Sequence, residues 1–566
     1  MVRRLTYVSA SVMIVAACLV ASRAGGTAAA APALLKNVGA QLPDPSISYP
    51  PNAPLTAATP TAACAWSPTP TVKHIAPCGS DNGTGDSTSP WKTLGKALRE
   101  LQAGQVAYVH ADADPSEPDY VESDIETRHA GAAGQPTNFI RLTAAPGEEP
   151  VLRGDPAMPE KALLRLTKRY WLVEGLRIDA TGVRKRPVVL VGRDSGDVSD
   201  HGDHIALRRL TITGGGSANA GITFAGASHA SLLDSILYEP IDPQTKRPVT
   251  VPTNKDDHHG VAIVSGSNHV LLRGNDSYGH NGDSAQCGEE PGPVPTDITI
   301  QNNRYHSDEE NAVDIKHCQR LTIEGNKFHD YRPARPAGSD RAPQGDAVVI
   351  HSRPGPTGAA ALGADNVLLQ LNRLFRNSRG INLSPEAGAV VIRRNLIFQG
   401  RTDFGGLGGG IRAAAKTVEI YHNTLDDLPG RLGAGGQIDP NGAAVRLNDQ
   451  GATQHAVLLN NIVSNAPRLG LWVRKTPTSL GSLSMDRNLF YNAPWQLHGG
   501  VSAPTRTEFG SPQYVATPAD NDYFTLPGSP VRDSAEPLPS DVGDPVGPYC
   551  PAGNPKPDLG FLESCF

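Results

Sequence analysis

The stretch DITIQNNRYHSDEENAVDI, residues 297–315, contains the unit from which most of this chain is built. A short apolar strand is followed by a segment rich in Asn and Asp, and then by a turn. The stretch RLTIEGNKFHDY at residues 320–331 has the same order. Asn and Gly suit tight corners because both tolerate left-handed backbone geometry. The unit therefore predicts short strands joined by sharp turns.

Loose copies of this unit recur from about residue 138 to residue 495, with a period of about 22–35 residues. Other copies are YWLVEGLRIDATG (170–182), HIALRRLTITGGG (204–216), NHVLLRGNDSYGHNGD (268–283), NVLLQLNRLFRNSRGINL (366–383), VVIRRNLIFQG (390–400), TVEIYHNTLDDL (417–428), AVLLNNIVSNA (456–466) and LSMDRNLFYNA (483–493). A unit this small cannot bury its own apolar face, so its copies must stack. We therefore expect an all-β solenoid. A leucine-rich repeat is disfavoured because its fixed leucine spacing is missing, and a propeller would need clearer four-strand blocks.

The residues before the folded domain carry two signals. Residues 1–30 have Arg3 and Arg4, an apolar run and a small-residue stretch, which together predict an export signal peptide. The run Val15-Ala16-Ala17-Cys18 also resembles a bacterial lipobox, which would leave Cys18 lipidated. Residues 31–72 are rich in Ala, Pro and Thr and predict a linker, and residues 73–566 are the folded domain with its C-terminal extension.

The composition narrows the class of protein. The chain has 59 Gly and 49 Pro but only 11 Phe and 5 Trp, which favours short strands and turns. The net charge of −6 gives no basic footprint for nucleic acid. No second apolar run approaches the roughly 20 residues of a transmembrane helix. We expect a secreted or periplasmic monomer, with a short amphipathic helix in PWKTLGKALRELQ (90–102) capping the solenoid.

Six cysteines besides Cys18 remain, and an even number in an exported chain predicts disulfides. Proximity in sequence favours the pairs 64–78, 287–318 and 550–565, among the 15 pairings that six cysteines allow. A zinc site built only of cysteines is disfavoured because no C-x-x-C pair occurs.

Stacking the turns places outward side chains in columns, because neighbouring strands lie about 4.8 Å apart and side chains alternate between faces. The alignment uses the inward pairs Val313/Ile315, Val348/Ile350, Ile381/Leu383, Ile411/Ala413 and Val445/Leu447. The first outward column is Asp314, Val349, Asn382, Arg412, Arg446, and the second is Lys316, His351, Ser384, Ala414, Asn448. The alignment predicts a polar groove in which Arg412 and Arg446, with Asn382, hold the acid groups of an extended polymer.

Several motifs carry a family resemblance. They are CGSDNGT (78–84) with SPWKT (89–93), PGSP (527–530) with PDLGFLE (557–563), and ENAVDIKHCQRLTIEGNKFHD (310–330) with GDAVVIHSRPG (345–355). They resemble the right-handed parallel β-helix of secreted carbohydrate-active proteins, in particular the alginate lyase/chondroitinase B family and the pectate lyases with a lysine base. The former family has an arginine–histidine–glycine turn, whereas this chain has Ile350-His351-Ser352-Arg353. The later Gly409-Gly410-Ile411-Arg412 also looks like that family's glycine–arginine turn.

The residues themselves suit β-elimination of a uronic-acid polymer. That reaction removes the proton next to a carboxylate, so the carboxylate must be neutralised and a base supplied. Ca²⁺ can do the first and a lysine the second. The candidate oxygen ligands are Asp283, Asp308, Glu309, Glu310 and Asp314. Lys316 is the candidate base, and His351 or Arg353 is the candidate proton donor.

Other functions fit the same residues. A glycoside hydrolase would use two carboxylates, such as Asp283 with Asp314 or Asp314 with Asp346. A non-catalytic carbohydrate-binding surface protein would use the groove alone, with the acids as solvated corners. A transition-metal site at His258, His259, His306 and His317 is disfavoured because their spacing fits no common zinc pattern.

Overall fold

The computed structural model describes residues 72–112, 118–133, 138–193, 202–215, 218–244, 257–288, 293–333, 345–353, 362–476 and 478–508, and short pieces between 510 and 561. The predicted signal peptide, Cys18, nearly all of the linker, and the cysteines at 64, 550 and 565 lie outside the described residues. Within the described residues, no helix is long and apolar enough to cross a membrane.

The strands are numbered along the chain and form three long parallel sheets, here called the first, second and third sheets. The first sheet contains β1 Val72–Ile75, β2 Val106–Val109, β5 Ile140–Ala144, β8 Trp171–Glu174, β11 Ile205–Arg208, β14 Ser231–Leu233, β17 Asn268–Arg273, β20 Thr296–Gln301, β23 Gln319–Glu324, β28 Asp365–Gln370, β31 Ala389–Arg393, β34 Thr417–Tyr421, β37 His455–Leu459 and β40 Ser482–Asp486.

The second sheet contains β4 Ile125–Glu126, β7 Leu164–Leu166, β10 Pro187–Gly192, β13 Ala220–Ala225, β16 His259–Val264, β19 Ala285–Cys287, β22 Val313–Ile315, β25 Asp346–Ile350, β30 Arg379–Leu383, β33 Gly409–Ala413, β36 Val445–Leu447, β39 Leu471–Arg474 and β42 Trp495–His498. The third sheet contains β3 Tyr120–Val121, β6 Val151–Arg153, β9 Arg177–Asp179, β12 Thr211–Thr213, β15 Ile236–Tyr238, β18 Asp276–Tyr278, β21 Arg304–His306, β24 Lys327–His329, β29 Arg373–Phe375, β32 Leu396–Phe398, β35 Thr424–Asp426, β38 Ile462–Ser464 and β41 Leu489–Tyr491.

The chain visits the sheets in a fixed order, first, third and second, before starting the next turn. One turn is β20, β21 and β22, and β23 then pairs in parallel with β20. The fold is a right-handed parallel β-helix, which confirms the predicted fold class. An antiparallel pair, β26 Ser352–Arg353 and β27 Leu362–Gly363, interrupts the coil after β25.

The interior is filled by the inward residues of every strand. In the turn quoted at the outset, Ile298, Ile300, Tyr305, Val313 and Ile315 are all buried in one continuous core. Period-two alternation therefore decides which face of each strand is apolar. One disulfide, Cys287–Cys318, joins successive turns as predicted. Cys78 is also disulfide-bonded, and its predicted partner Cys64 lies outside the described residues.

The predicted capping helix is α1, Leu94–Glu100. The Thr93 hydroxyl caps it by accepting a hydrogen bond from the Lys96 N–H, and Leu94, Leu98 and Leu101 join the core. Two short 3₁₀ helices, Asp403–Gly405 and Pro440–Gly442, lie in the later turns.

A ladder of buried asparagines runs along the corner between the first and third sheets. Asn326 is typical: its Oδ1 accepts from the Asn303 N–H at 2.8 Å, and its Nδ2 donates to the Ile300 carbonyl at 2.8 Å. The members are Asn275, Asn303, Asn326, Asn372, Asn395, Asn423, Asn461 and Asn488. The residue before each ladder Asn takes the positive φ that the sequence predicted, as at Asn302 and Gly325, but Leu371 takes it too. The buried amide, more than backbone tolerance, is thus what the Asn supplies.

Candidate functional site

The first predicted column is confirmed on the outer face of the second sheet. Asp314 pairs with Val349, Val349 with Asn382, Asn382 with Arg412, and Arg412 with Arg446 on β22, β25, β30, β33 and β36. The inward partners used for the alignment are all buried. Side chains from five successive turns therefore lie on one face, which we call the groove face.

The second predicted column holds its backbone register. The His351 N–H donates to the Ile315 carbonyl and the Ser384 N–H donates to the Ile350 carbonyl, both at 2.8 Å. Its last two members do not face outward, so the prediction is wrong there. Ala414 and Asn448 are fully buried. Asn448 has φ 56° and uses its side chain to donate to the Ser479 hydroxyl at 2.8 Å, so it holds a corner.

One carboxylate joins the candidate base to the candidate acid. Asp314 Oδ2 lies 3.6 Å from Lys316 Nζ, and Asp314 Oδ1 accepts a 2.6 Å hydrogen bond from His351 Nε2. The Asp314 side chain is 7% exposed, whereas those of Lys316 and His351 are 21% and 36% exposed. Burial alone would lower the pKa of His351, but its hydrogen bond to Asp314 and the charge of Asp314 raise that pKa above its usual value. The hydrogen bond to Asp314 therefore favours the protonated imidazole of His351, which shares that carboxylate with the partly exposed amine of Lys316.

A carboxylate–histidine cluster is formed by His259, Asp283 and Glu310 from three successive turns, the last of which also carries Asp314. A ligand atom from each lies within 4.8 Å of the others. Asp283 is fully buried, and its Oδ1 accepts from the Asn311 N–H at 3.1 Å and from Asn311 Nδ2 at 2.9 Å. These bonds confirm the predicted register between Asp283 and Asn311. Asp283 and Glu310 were predicted as cation ligands together, and His259 joins them in the structure.

The cluster concentrates negative charge away from water. Burial first, and then the charges of Asp283, Asp257 and Asp314, together raise the pKa of Glu310 to about 10, although Lys316 acts to lower it. A cation among these oxygens would relieve that crowding, so the donor set fits a divalent cation. Two carboxylates suit Ca²⁺, whereas the imidazole suits a transition metal better.

Three predicted ligands are not in this cluster: Asp314 contacts Lys316 and His351 instead, and Asp308 and Glu309 lie elsewhere. Asp308 is buried inside the coil, where it accepts hydrogen bonds from the Ser284 hydroxyl, from the Tyr331 hydroxyl at 2.8 Å and from the His280 N–H at 2.8 Å. Burial raises the pKa of Asp308 well above its usual value. Glu309 donates its backbone N–H to the His280 carbonyl and is not part of the carboxylate–histidine cluster.

The predicted arginines form a cationic end of the groove face. Arg412 donates from Nη1 to Asn382 Oδ1 at 2.9 Å and from Nε to Asp449 Oδ2 at 3.0 Å. Arg446 contacts the same Asp449 oxygen at 3.3 Å, and its guanidinium lies 5.2 Å from the centre of the Trp472 ring. Two guanidinium groups therefore share one carboxylate, which leaves a net positive charge beside an aromatic ring.

Two buried charged residues on this face were not predicted as a pair. Arg379 is paired with Asp346 in the strand register, and Arg379 Nη1 lies 3.5 Å from Asp346 Oδ2. The same oxygen accepts from Asn382 Nδ2 at 2.7 Å. Asp346 and Arg379 lie three residues before Val349 and Asn382 of the first column. Extending the strand alignment by three positions would therefore have paired them. Arg353 belongs to β26, and its side chain lies outside the described residues.

Comparisons with known proteins found one family model and several similar solved structures. Residues 259–449 match a family model described as a right handed beta helix region. No curated protein matches the sequence. Three similar solved structures are a PL6 family alginate lyase (13% identity, 78% of this chain, 56% of that chain, TM-score 0.42), the pectate lyase Pel9A (12%, 87%, 96%, 0.39) and the GH136 lacto-N-biosidase from Eubacterium ramulus (11%, 77%, 67%, 0.38). All three TM-scores are below 0.5, so no conclusion about this chain is drawn from these structures.

Proposed function

We propose that this protein is a secreted lyase that cleaves an acidic, uronic-acid-containing polysaccharide by β-elimination. The observation that carries the proposal is the contact of Lys316 and His351 with the two oxygens of Asp314 on the groove face. An amine and an imidazole held on successive turns supply the base and the acid that the elimination needs. The fold by itself does not select this chemistry, so the residues must carry it.

The cationic end of the groove face supports binding of a charged polymer. Arg412 and Arg446 share the single carboxylate of Asp449, so a uronate carboxylate can enter as a further partner. Guanidinium groups bind carboxylates through two parallel hydrogen bonds, which fixes the sugar's orientation as well as its position. Asn382, already bonded to Arg412, extends this polar surface toward Asp314.

The elimination needs one proton removed and one proton supplied. Unprotonated Lys316 Nζ takes the proton from the carbon next to the uronate carboxylate, and the electrons left behind form a carbon–carbon double bond as the glycosidic bond breaks. His351 gives a proton to the departing oxygen, and the raised pKa of this imidazole keeps that proton available. Arg353 is the second candidate for this donor.

The carboxylate–histidine cluster is proposed to hold the cation. His259, Asp283 and Glu310 would be its protein ligands, and we propose Ca²⁺ as the ion. Bound there, Ca²⁺ would neutralise the carboxylate next to the reacting carbon. Asp314 lies close enough to raise the pKa of Glu310, so the cation would also lessen the negative charge around Lys316. Because the set includes an imidazole, Mn²⁺ and Zn²⁺ belong in the same titration.

The test is a screen of the purified protein against alginate, pectate, glycosaminoglycans and glucuronan, with Ca²⁺ and with chelator. We expect one acidic polymer to yield an unsaturated product, seen by its ultraviolet absorbance. Lys316→Ala should lose this signal with its fold intact, and Lys316→Arg should not restore it because arginine does not give up its proton. The matched control is Lys327→Ala, an exposed lysine on the third sheet. Full activity of Lys316→Ala would refute the assignment.

A glycoside hydrolase is the second candidate, and the closeness of the Glu310 and Asp283 carboxylates, which have oxygens within 4.8 Å of each other, favours it. A carboxyl whose pKa is raised to about 10 lies near Asp283 and Asp314, and hydrolases pair such a general acid with an ionised carboxylate. Products with ordinary reducing ends and no double bond would identify this reaction. Glu310→Gln would then abolish cleavage, whereas Lys316→Ala would retain it. Binding without any cleavage would identify a carbohydrate-binding protein instead.

A further inference from the structure

A cavity of about 750 Å³ opens at the N-terminal turns, at the corner between the first and third sheets. This volume falls in the range of small-molecule sites. Lys316 and His351 directly follow strands of the second sheet, so the cavity is separate from them. Its chemistry is dominated by four arginines: Arg141, Arg177, Arg208 and Arg209.

Two of these arginines share one carboxylate. The Arg208 guanidinium donates to Glu174, and Arg209 Nη2 lies 2.7 Å from the same Glu174 oxygen. The Glu174 side chain is 3% exposed. One buried carboxylate between two guanidinium groups fixes both in place and leaves one excess positive charge, as at the cationic end of the groove face.

The other two arginines are available to a ligand. The Nε of Arg141 is buried and has no hydrogen-bond partner among the described residues, and burying such a donor costs free energy unless it is bonded. Arg177 begins β9, is exposed, and makes no ion pair within the described part of the chain. Tyr238, whose ring stacks on Tyr278 with 5.4 Å between centres, lies on the same wall.

The charges of the wall point to an anion. Besides Glu174, the cavity is lined by Glu148 and Glu149, so the formal charge of four arginines and three glutamates is +1. Glu148 is occupied: its Oε2 accepts from the Ala111 N–H at 2.8 Å and its Oε1 lies 3.0 Å from His110 Nδ1. Glu149 is exposed, so water can solvate its carboxylate. Arg141 and Arg177 keep donors for a ligand beside an aromatic ring, and such donors suit a carboxylate carried on a sugar.

We propose that this cavity is a second carbohydrate-binding site, in which Arg141 and Arg177 hold the carboxylate of an acidic saccharide. The choice of saccharide rests on the proposed function, whereas the anion preference rests on the cavity alone. The site would hold the polymer on a different side of the coil from the groove face. It would add affinity without taking part in bond cleavage.

The test measures binding of trigalacturonate to the full chain carrying Lys316→Ala, by calorimetry, with hydrogen exchange of residues 141–147 and 174–177 as the local readout. We expect protection of both segments on binding. Adding Arg141→Ala and Arg177→Ala should abolish that protection and weaken the binding of trigalacturonate to this cavity at least about 10-fold. The charge-matched control, Lys185→Ala with Lys327→Ala, should keep both. If the double variant fails to fold, Arg177→Gln alone, at an exposed position, should show the same loss.

Three results would overturn the proposal. The first is unchanged protection and affinity in the arginine variants. The second is equal protection by neutral xylotriose, because carboxylate recognition would then be absent. The third is complete displacement of the trisaccharide by equimolar inorganic phosphate, which would make the cavity a simple anion site. None depends on cleavage, so a protein that cleaves nothing but shows the expected protection would refute the proposed lyase and retain this site.

Discussion

Asp314 and His351 come from successive turns of the coil, yet a 2.6 Å hydrogen bond joins Oδ1 of the first to Nε2 of the second. Parallel stacking creates this contact, because β22 and β25 lie side by side with Ile315 paired to Ile350. An interaction between residues 37 apart in sequence is thus fixed by the spacing of two strands.

The first prediction concerns the alkaline side of the pH profile. If protonated His351 donates to the leaving oxygen, activity should fall as the pH rises through its pKa. Asp314 raises that pKa, so Asp314→Asn should move the alkaline limb of kcat/KM to lower pH. The histidine pKa can also be followed by NMR titration in both proteins. Asp297→Asn, which removes an exposed partner of Arg320, is the control, and an unmoved limb in Asp314→Asn would argue against His351 as the acid.

The second prediction concerns the cationic end of the groove face. Arg412→Ala should raise KM for the acidic polymer about 10-fold or more with a smaller change in kcat, because a charge-assisted contact to bound substrate is lost. Steady-state kinetics on the polymer identified in the screen would measure both constants. Arg320→Ala removes an exposed arginine from another corner and should change neither. A loss confined to kcat would place Arg412 in the chemical step instead.

The third prediction concerns the asparagine ladder. Asn395→Ala should lower the free energy of unfolding by at least about 2 kcal/mol, because buried backbone groups lose their hydrogen bonds to the Asn395 side chain. The Leu369 carbonyl and the Asn372 N–H both lose a hydrogen bond to Asn395. Thermal unfolding followed by circular dichroism gives the comparison, with exposed Asn82→Ala as the reference. Equal melting temperatures for the two variants would mean that the ladder adds nothing to stability.

The fourth prediction concerns the disulfide Cys287–Cys318. It closes a loop of 31 residues, for which chain entropy gives about 3–4 kcal/mol of stabilisation. The double variant Cys287→Ser with Cys318→Ser should melt at a lower temperature than the wild type. Because the variant lacks this disulfide, reductant should not lower its melting temperature further through this bond. An unchanged melting temperature would show that the stacked strands hold this turn unaided.

The fifth prediction concerns stability in acid. Burial lowers the pKa of His258 to about 3, whereas the unfolded chain binds this proton near its usual pKa of about 6.5. As the pH falls below about 6.5, His258 therefore binds a proton in the unfolded state but not in the folded state. The free energy of unfolding should decline by up to about 1.4 kcal/mol per pH unit from this residue. Between neutral pH and the folded pKa, the melting temperature should fall less steeply with decreasing pH for His258→Gln than for exposed His498→Gln. Equal slopes of melting temperature against pH would contradict this prediction.

The sequence predicts the strand register well and the corners poorly. Val313 and Ile315 alternate with Asp314, and the same alternation on later turns is enough to place Arg412 and Arg446 in line. Corner residues have no such period. Asp308 therefore could not be assigned a direction from sequence, and the structure turns it inward to Ser284 and Tyr331.

The site residues missed by sequence reasoning depend on contacts between turns. His259 lies one full turn before Asp283, and only stacking of the turns brings its imidazole close to Glu310. Arg379 begins a strand whose other residues are Gly, Ile, Asn and Leu, so composition does not reveal its buried charge, and only the register with Asp346 on the preceding turn does.

The stacked strands also give the groove face the properties of a ruler. Each turn contributes one strand, so Arg412 stands three strands beyond Asp314, a separation set by about 4.8 Å per step. Inserting or deleting one whole turn between β22 and β33 would change the distance between the reacting groups and the carboxylate-holding arginines by one step, without altering either group. Chains of this design can therefore adapt to polymers with a different spacing of acidic sugars by changing their number of turns.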